Sequence, residues 1–270
     1  TGLIYSRPNR GTERVPYYGK NEPSRYLNEL FLLQTQALYQ HIVGSGLKKA
    51  VIGVSGGLDS TLASLVAENA FRMAGLPAEN ITAVTMPGFG TSDRTHSNAS
   101  ELMRLLGFTC REIPISAPTL AMFDAIGHDA ENKNVVYENA QARIRAAILF
   151  NVANAENAFV IGTGDLSEAA LGWCTFGGDD LAHYNPNASV PKTLVRELVR
   201  HIASVRGGDL GKVLSDVAET PISPELVAGQ ETEKIVGKYE LIDFIMFFFG
   251  KRHAGYSDIK NLCLAVFEEL

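Results

Sequence analysis

Cysteine is scarce in this chain of 270 residues, which holds only Cys110, Cys174 and Cys263. So few and so scattered, they exclude a disulfide framework, a CxxC redox pair and a cysteine zinc site, and they fit a reducing compartment. Positive charge is also short. Lysine and arginine together number 24 against 30 acids, and the net charge of −6 leaves no basic footprint for an extended nucleic-acid interface. Long apolar runs are missing: the longest strongly apolar stretch, Phe244 to Phe249, falls well below the roughly 20 residues that span a bilayer. No signal-peptide pattern opens the chain, so the expectation is a soluble, cytoplasmic protein that binds neither membrane nor nucleic acid. The G-x-x-x-x-G-K-[ST] loop of ordinary ATPases is absent, as are internal repeats and low-complexity tracts. What remains is an ordinary globular composition, 46% hydrophobic and 20% charged, in a chain long enough for one sizeable α/β domain.

The most informative segment is Val51 to Ser60, VIGVSGGLDS. Val51, Ile52 and Val54 read as a short strand covered on both faces. Two glycines follow, so backbone amides from Gly56 to Ser60 are free to converge on an anion at the start of a helix over Asp59 to Met73. Leu62, Leu65, Val66 and Phe71 form the apolar face of that helix. Asp59 then stands beside a phosphate, which is repulsive unless a cation lies between them; this argues for Mg²⁺. The SGG-x-DS pattern resembles the pyrophosphate loop of enzymes that split ATP into AMP and pyrophosphate.

Strands and helices alternate through the rest of the chain. Strands are predicted at Val51 to Val54, Ile81 to Met86, Thr109 to Ile113 and Phe159 to Thr163. Helices are predicted at Tyr26 to Val43, Asp59 to Met73, Ser92 to Leu106, Tyr137 to Ala153 and Lys192 to Val205. This is the rhythm of a doubly wound parallel sheet with helices on both faces, in which ligands bind beyond the carboxyl ends of the strands. Residues 1–25, with Pro8, Pro16 and Pro23 and few apolar anchors, read as an extended linker, and the chain carries no initiating Met. Residues 26–270 form the predicted domain.

A second constellation, IGTGDLSE at Ile161 to Glu168, again sets glycine and acid directly after a strand. Thr163 could offer the nucleotide a contact; Glu168 reads either as a second carboxylate for Mg²⁺ or as the capping partner of Asp165, which three residues earlier reads as a helix N-cap. The long polar and aromatic stretch that follows has no regular periodicity and is functional by its length. Trp173 fits either a ligand stack or the core. Lys192 fits either a phosphate clamp or a solvated helix start. Asn139 lies on the ENAQARIR helix, where Arg143 or Arg145 could meet a phosphate or form surface pairs. His183 reads as a ligand contact or as a structurally satisfied histidine, and Cys174 has no paired histidine to make it a nucleophile.

SGGLDS, MPGFGTSDRTHSNA (Met86 to Ala99), ENAQARIR (Glu138 to Arg145), GTGDLSEAALGWCTFG (Gly162 to Gly177) and HYNPNASVPKTL (His183 to Leu194) occur in this order and resemble the NAD⁺ synthetase family. The GTGDLSE-x-x-LGW form is similar to the synthetase domain of its glutamine-dependent members. The resemblance implies an adenine nucleotide alpha hydrolase-like fold and ATP-dependent amidation of deamido-NAD⁺ to NAD⁺ by ammonia, through an acyl adenylate. It implies ATP contacts at Gly53, Val54, Ser55, Gly56, Gly57, Leu58, Asp59, Ser60, Thr163 and Lys192. Around deamido-NAD⁺ it places Asn139, Arg143, Glu168 and the strip Trp173, Cys174, Thr175, Phe176. Mg²⁺ would rest on Asp59 and Glu168, which are also the expected catalytic residues. A glutaminase domain preceding the linker, a homodimer or larger homo-oligomer, and a C-terminal part shorter than the family's are further implications. Two other readings stand beside this one: another ATP pyrophosphatase, which should lack GTGDLSE with the LGW strip, and a non-catalytic nucleotide-binding module, which would not need two metal-binding acids.

Overall fold

The computed structural model describes residues 14–17, 22–223, 226–227 and 231–267. Most of the expected linker therefore lies outside the described residues. Four strands, β1 (Ala50–Gly53), β2 (Ile81–Thr85), β3 (Thr109–Glu112) and β4 (Phe159–Ile161), form a parallel sheet in the order β3-β2-β1-β4. The register pairs Ala50 with Ile81 on one side and with Phe159 on the other. All four predicted strands exist: β1 lies one residue earlier than expected at both ends, β2 and β3 each end one residue early, and β4 ends two residues early.

Strand residues alternate between two apolar layers. Ala50, Ile52, Ile81, Ala83, Phe159 and Ile161 pack into the larger cluster with α1 (Pro23–Ser45), α2 (Leu58–Met73), α3 (Asp93–Leu105), α7 (Lys192–Arg206) and α8 (Gly208–Glu219). Val51, Val84 and Val160 face the other way, onto Ile144, Ile148, Leu149 and Val152 of α5 (Val135–Glu156). Helices thus cover both faces, as the sequence predicts. The predicted apolar residues of α2 are buried, and α1 begins at Pro23, ahead of the expected Tyr26.

The helix start expected after Asp165 is present as the short α6 (Leu166–Leu171), whereas the sequence reading did not contain α4 (Ser116–Ile126), α8, α9 (Thr232–Val236), α10 (Tyr239–Met246), the π-helical turn Phe247–Lys251 or α11 (Tyr256–Val266). The last elements build a separate small cluster around Phe244, Ala254, Ile259, Cys263 and Phe267. No helix among the described residues is long and apolar enough to cross a membrane.

The sheet order places a switch point at β1: the chain leaves it toward β2 and β3, then returns to β4 on its opposite side. Crevices at such points, beyond the carboxyl ends of the strands, are where ligands bind in open α/β sheets. The SGGLDS and GTGDLSE loops leave β1 and β4 there.

Candidate functional site

After β1 the chain turns through Val54 to Gly57 into α2. Gly56 has φ +90°, and a Cβ on it would lie 2.2 Å from the carbonyl oxygen of Thr95 in α3, so both the turn and the close approach require glycine. The Ser60 hydroxyl accepts from Ser55 N at 3.3 Å and the Ser55 hydroxyl accepts from Gly57 N at 3.1 Å, which fixes the loop's shape. Helices α3, α5 and α6 are each capped by their own preceding side chain, Ser92, Asn134 and Asp165. Helix α2 begins after Gly57 with no side-chain cap, leaving first-turn donors and the positive end of the helix dipole to solvent or to an anion.

The loop opens on a cavity of about 240 Å³. Gly53, Val54, Ser55, Asp59, Ser60, Thr163, Glu168 and Trp173 line it, as do Thr85, Met86 and Arg145. Of the two arginines weighed on α5, Arg145 is the one on the cavity wall; its Nε donates to Met86 O at 3.3 Å. Arg143 donates instead to Phe176 O at 3.1 Å, and Asn139 Oδ1 accepts from the Thr175 hydroxyl at 2.8 Å. These α5 residues hold the 173–178 strip in place, with Thr175 buried, Cys174 exposed and Phe176 83% exposed. Leu58 turns its side chain into the core. His183 accepts from Val160 N at 2.9 Å, which makes it a structurally satisfied histidine.

The centre of the site is a charge cluster. The Lys192 ammonium, on a side chain only 1% exposed, lies 2.6 Å from Asp59 Oδ2, 2.6 Å from Asp165 Oδ2 and 2.8 Å from Glu168 Oε1. This overturns the solvated-helix-start reading of Lys192. Asp165 does cap α6, accepting from Glu168 N at 2.9 Å, but its other oxygen joins the cluster, a role the sequence reading did not assign. Asp165 is fully buried, while Asp59 and Glu168 keep 22% and 20% side-chain exposure.

Three acids against one ammonium set the electrostatics. Burial raises the Asp59 carboxyl well above its ordinary range, with Lys192 opposing and the other two acids adding. Glu168 is raised for the same first reason. Burial works against the charge on Lys192 too, yet Asp59, Glu168 and Asp165 outweigh it and hold the lysine well above its usual value. The residues fit a hard divalent cation. One oxygen from each acid lies within 4.8 Å of the others, and Asp59 Oδ1 is buried with no hydrogen-bond partner among the described residues.

Two buried polar residues that the sequence reading missed hold this geometry. Asn187 donates to Asp59 O at 3.0 Å and to Thr163 O at 3.3 Å, suturing the loops that follow β1 and β4, and accepts from Gln34 of α1 at 3.1 Å. Asp243 of α10 accepts from Ser167 of α6 and from Thr193 of α7. The signal for Asp243 was present: a lone acid inside LIDFIM must find partners if it is buried. Nothing local marks Asn187, whose partners are far away in the chain.

A parallel sheet with helices on both faces and its switch point at β1 has the adenine nucleotide alpha hydrolase-like fold. The NAD synthase family model matches residues 32–265, and the chain belongs to that family. It is 44% identical over 254 residues to the glutamine-dependent NAD(+) synthetase of Mycobacterium leprae (strain TN), covering 88% of this chain and 37% of that protein. The chain therefore spans little more than a third of that relative's length. Against the NH(3)-dependent NAD(+) synthetase of Pyrobaculum aerophilum the identity is 30% over 214 residues, covering 79% of this chain and 74% of the other. Among solved structures, NMN synthetase from Francisella tularensis superposes with a TM-score of 0.67 at 26% identity, over 90% of this chain and 92% of that one. Glutamine-dependent NAD+ synthetase from Acinetobacter baumannii, in complex with ADP, gives 0.65 at 25% identity, over 87% and 41%. The family resemblance read from the motifs is borne out.

Proposed function

We propose that this chain catalyses ATP-dependent amidation of deamido-NAD⁺ to NAD⁺, with ammonia as the nitrogen donor. The observation that carries the reading is the meeting of the uncapped SGGLDS helix start with three carboxylates and a buried lysine at the mouths of β1 and β4. A carboxylate is a poor electrophile because its leaving group would be oxide. Its oxygen therefore attacks the α-phosphorus of ATP, pyrophosphate departs, ammonia attacks the acyl carbon of the resulting adenylate, and AMP leaves. Negative charge builds on oxygen in both steps, so positioning and fixed donors supply most of the acceleration.

In this reading the backbone from Gly53 to Ser60, with Thr163, receives ATP, and the Ser55 to Gly57 turn takes the departing pyrophosphate, the Ser55 and Gly57 amides exchanging their bonds to the Ser60 and Ser55 hydroxyls for its oxygens. Asp59 and Glu168, with Asp165 beside them, would hold Mg²⁺, which when bound screens the acids from the phosphates. Lys192 offers its ammonium to phosphate oxygens as an alternative to the carboxylates. Asn139, Arg143, Trp173, Cys174, Thr175 and Phe176 surround deamido-NAD⁺, and no covalent nucleophile is needed. As the name of the glutamine-dependent relatives suggests, a glutaminase domain would supply the ammonia, and the chain associates as a homodimer or larger homo-oligomer in the cytoplasm.

A coupled NAD⁺ assay tests this, using the chain with deamido-NAD⁺, ATP, Mg²⁺ and either ammonium or glutamine while AMP and pyrophosphate are followed. Turnover with ammonium and not glutamine is the expected result. The likeness to NMN synthetase gives nicotinate mononucleotide a place as competing acceptor: preferential turnover of it would move the substrate assignment while keeping the chemistry. Absence of ATP binding would sink the reading.

A further inference from the structure

The N-terminus of α7 has a structural debt: its cap residue is Pro191, which offers no side-chain acceptor, yet Lys192 at its first position must hold an ammonium among three acids. The acceptor comes from a distant helix. Asp243, 1% exposed in α10, takes hydrogen bonds from Thr193 N at 2.8 Å and the Thr193 hydroxyl at 2.7 Å through Oδ2. Its Oδ1 accepts from the Ser167 hydroxyl at 2.5 Å, and that same hydroxyl oxygen accepts from Lys192 N at 2.9 Å. Ser167 immediately precedes Glu168, and Thr193 immediately follows Lys192. One carboxylate thus pins the backbone beside both partners of the 2.8 Å Lys192–Glu168 contact. Tyr239, one turn earlier on α10 and 1% exposed, places its ring 5.4 Å from the Lys192 ammonium.

We infer that Asp243 is a positioning residue for the reaction: through Ser167 and Thr193 it sets the separation of Glu168 and Lys192, and so couples the C-terminal helices to the phosphate end of the site. The inference rests on the reading proposed for that site. An asparagine in its place keeps the size but loses the charge: with its NH₂ toward Thr193 it meets the backbone N–H donor with a donor, and with its NH₂ toward Ser167 it turns that hydroxyl from donor to acceptor. Partners that orient a site from behind its contacting groups commonly change affinity or activity by about 10–100-fold when replaced.

Hydrogen exchange and steady-state kinetics on the intact chain test it, the kinetics with ammonium, well below the unfolding transition. In Asp243→Asn the amides of Lys192 and Thr193 should exchange at least about tenfold faster while those of the α2 core keep their protection, and Mg²⁺-dependent kcat should fall about 10–100-fold. Ser167→Ala should give a milder form of both effects. The double variant should lose less than the product of the two single losses, because the two residues act as one unit. Phe244→Leu loosens the same helix through its apolar side, where Phe244 packs in the C-terminal cluster, and leaves the Asp243 carboxylate that holds Ser167 and Thr193 in place; it should lower Tm and leave kcat alone. Equal kcat losses in Asp243→Asn and Phe244→Leu, or unchanged exchange at 192 and 193, would overturn the inference. A wild-type chain without turnover would count against the amidation reading instead, and exchange together with calorimetric titration of Mg²⁺ and ATP into the same variants would then decide the positioning role.

Discussion

The ammonium of Lys192 lies 2.6 Å from Oδ2 of Asp59, closing a contact between the first turns of α7 and α2 across 133 positions of sequence. That ammonium fills the space among the same three acids that are suited to a divalent cation. In the proposed reading a divalent cation and the ammonium would compete for the acids, and phosphate oxygens would give Lys192 another partner when nucleotide is bound.

Replacing Lys192 with methionine separates these effects. Removing one partner of a buried ionic cluster leaves uncompensated charge, and the variant should lose about 3–5 kcal/mol in denaturant titrations without metal. Calorimetry should show Mg²⁺ alone binding more tightly than to wild type, and ATP more weakly. An unchanged Mg²⁺ affinity would mean that the ammonium and the metal do not share a site.

Asp59→Ala removes the acid whose Oδ1 is buried without a hydrogen-bond partner among the described residues. Mg²⁺-dependent turnover should drop by about 10²–10³-fold, the scale on which single electrostatic contacts act in active sites. The circular dichroism spectrum should be unchanged, because the side chain contributes nothing to the apolar core. Turnover close to wild type would show that Asp59 does not hold the metal.

Much of this site is legible in sequence because its pieces follow strands. Asp59 and Glu168 sit behind the apolar runs of β1 and β4, and both runs are buried on two faces, so strand, loop and acid are read together. Lys192 is legible as a residue of interest, but its burial is not, since the three acids that neutralise it come from two other segments. Asn187 and Asp243 act on partners 24 to 153 residues away, and no local pattern records such distances. The missed helices divide in the same way. Helix α4 is apolar on too many sides to show a helical period, whereas α8 carries Leu210, Leu214 and Val217 at helical spacing, a signal present in the sequence.

Gly56→Ala probes the loop rather than the charges. The added methyl would sit 2.2 Å from Thr95 O at a residue with φ +90°, so either α3 moves away or the loop changes course. Backbone strain of this kind costs about 1–3 kcal/mol, and the steric clash adds to it. ATP affinity should fall with stability, whereas Gly57→Ala, at φ −86° with only the Ser55 hydroxyl nearby at 3.3 Å, should be far milder. Equal effects at the two glycines would remove the argument that Gly56 is required by its close approach to α3.

Asn187 offers the sharpest separation of architecture from chemistry, because it touches the site only through backbone. Its amide donates to the carbonyls of Asp59 and Thr163, one on each side of the cavity. Asn187→Ala leaves both carbonyls without that donor and should cost about 1–3 kcal/mol in stability. Asn187→Asp keeps the shape but turns the donor into a charged acceptor facing two carbonyl oxygens, so it should be the more damaging of the two. If Asn187 holds the loops at the separation that ATP requires, KM for ATP rises more than kcat falls in Asn187→Ala. A loss confined to kcat, with ATP affinity intact, would instead mean that the loops keep their spacing without the amide and that Asn187 serves stability alone.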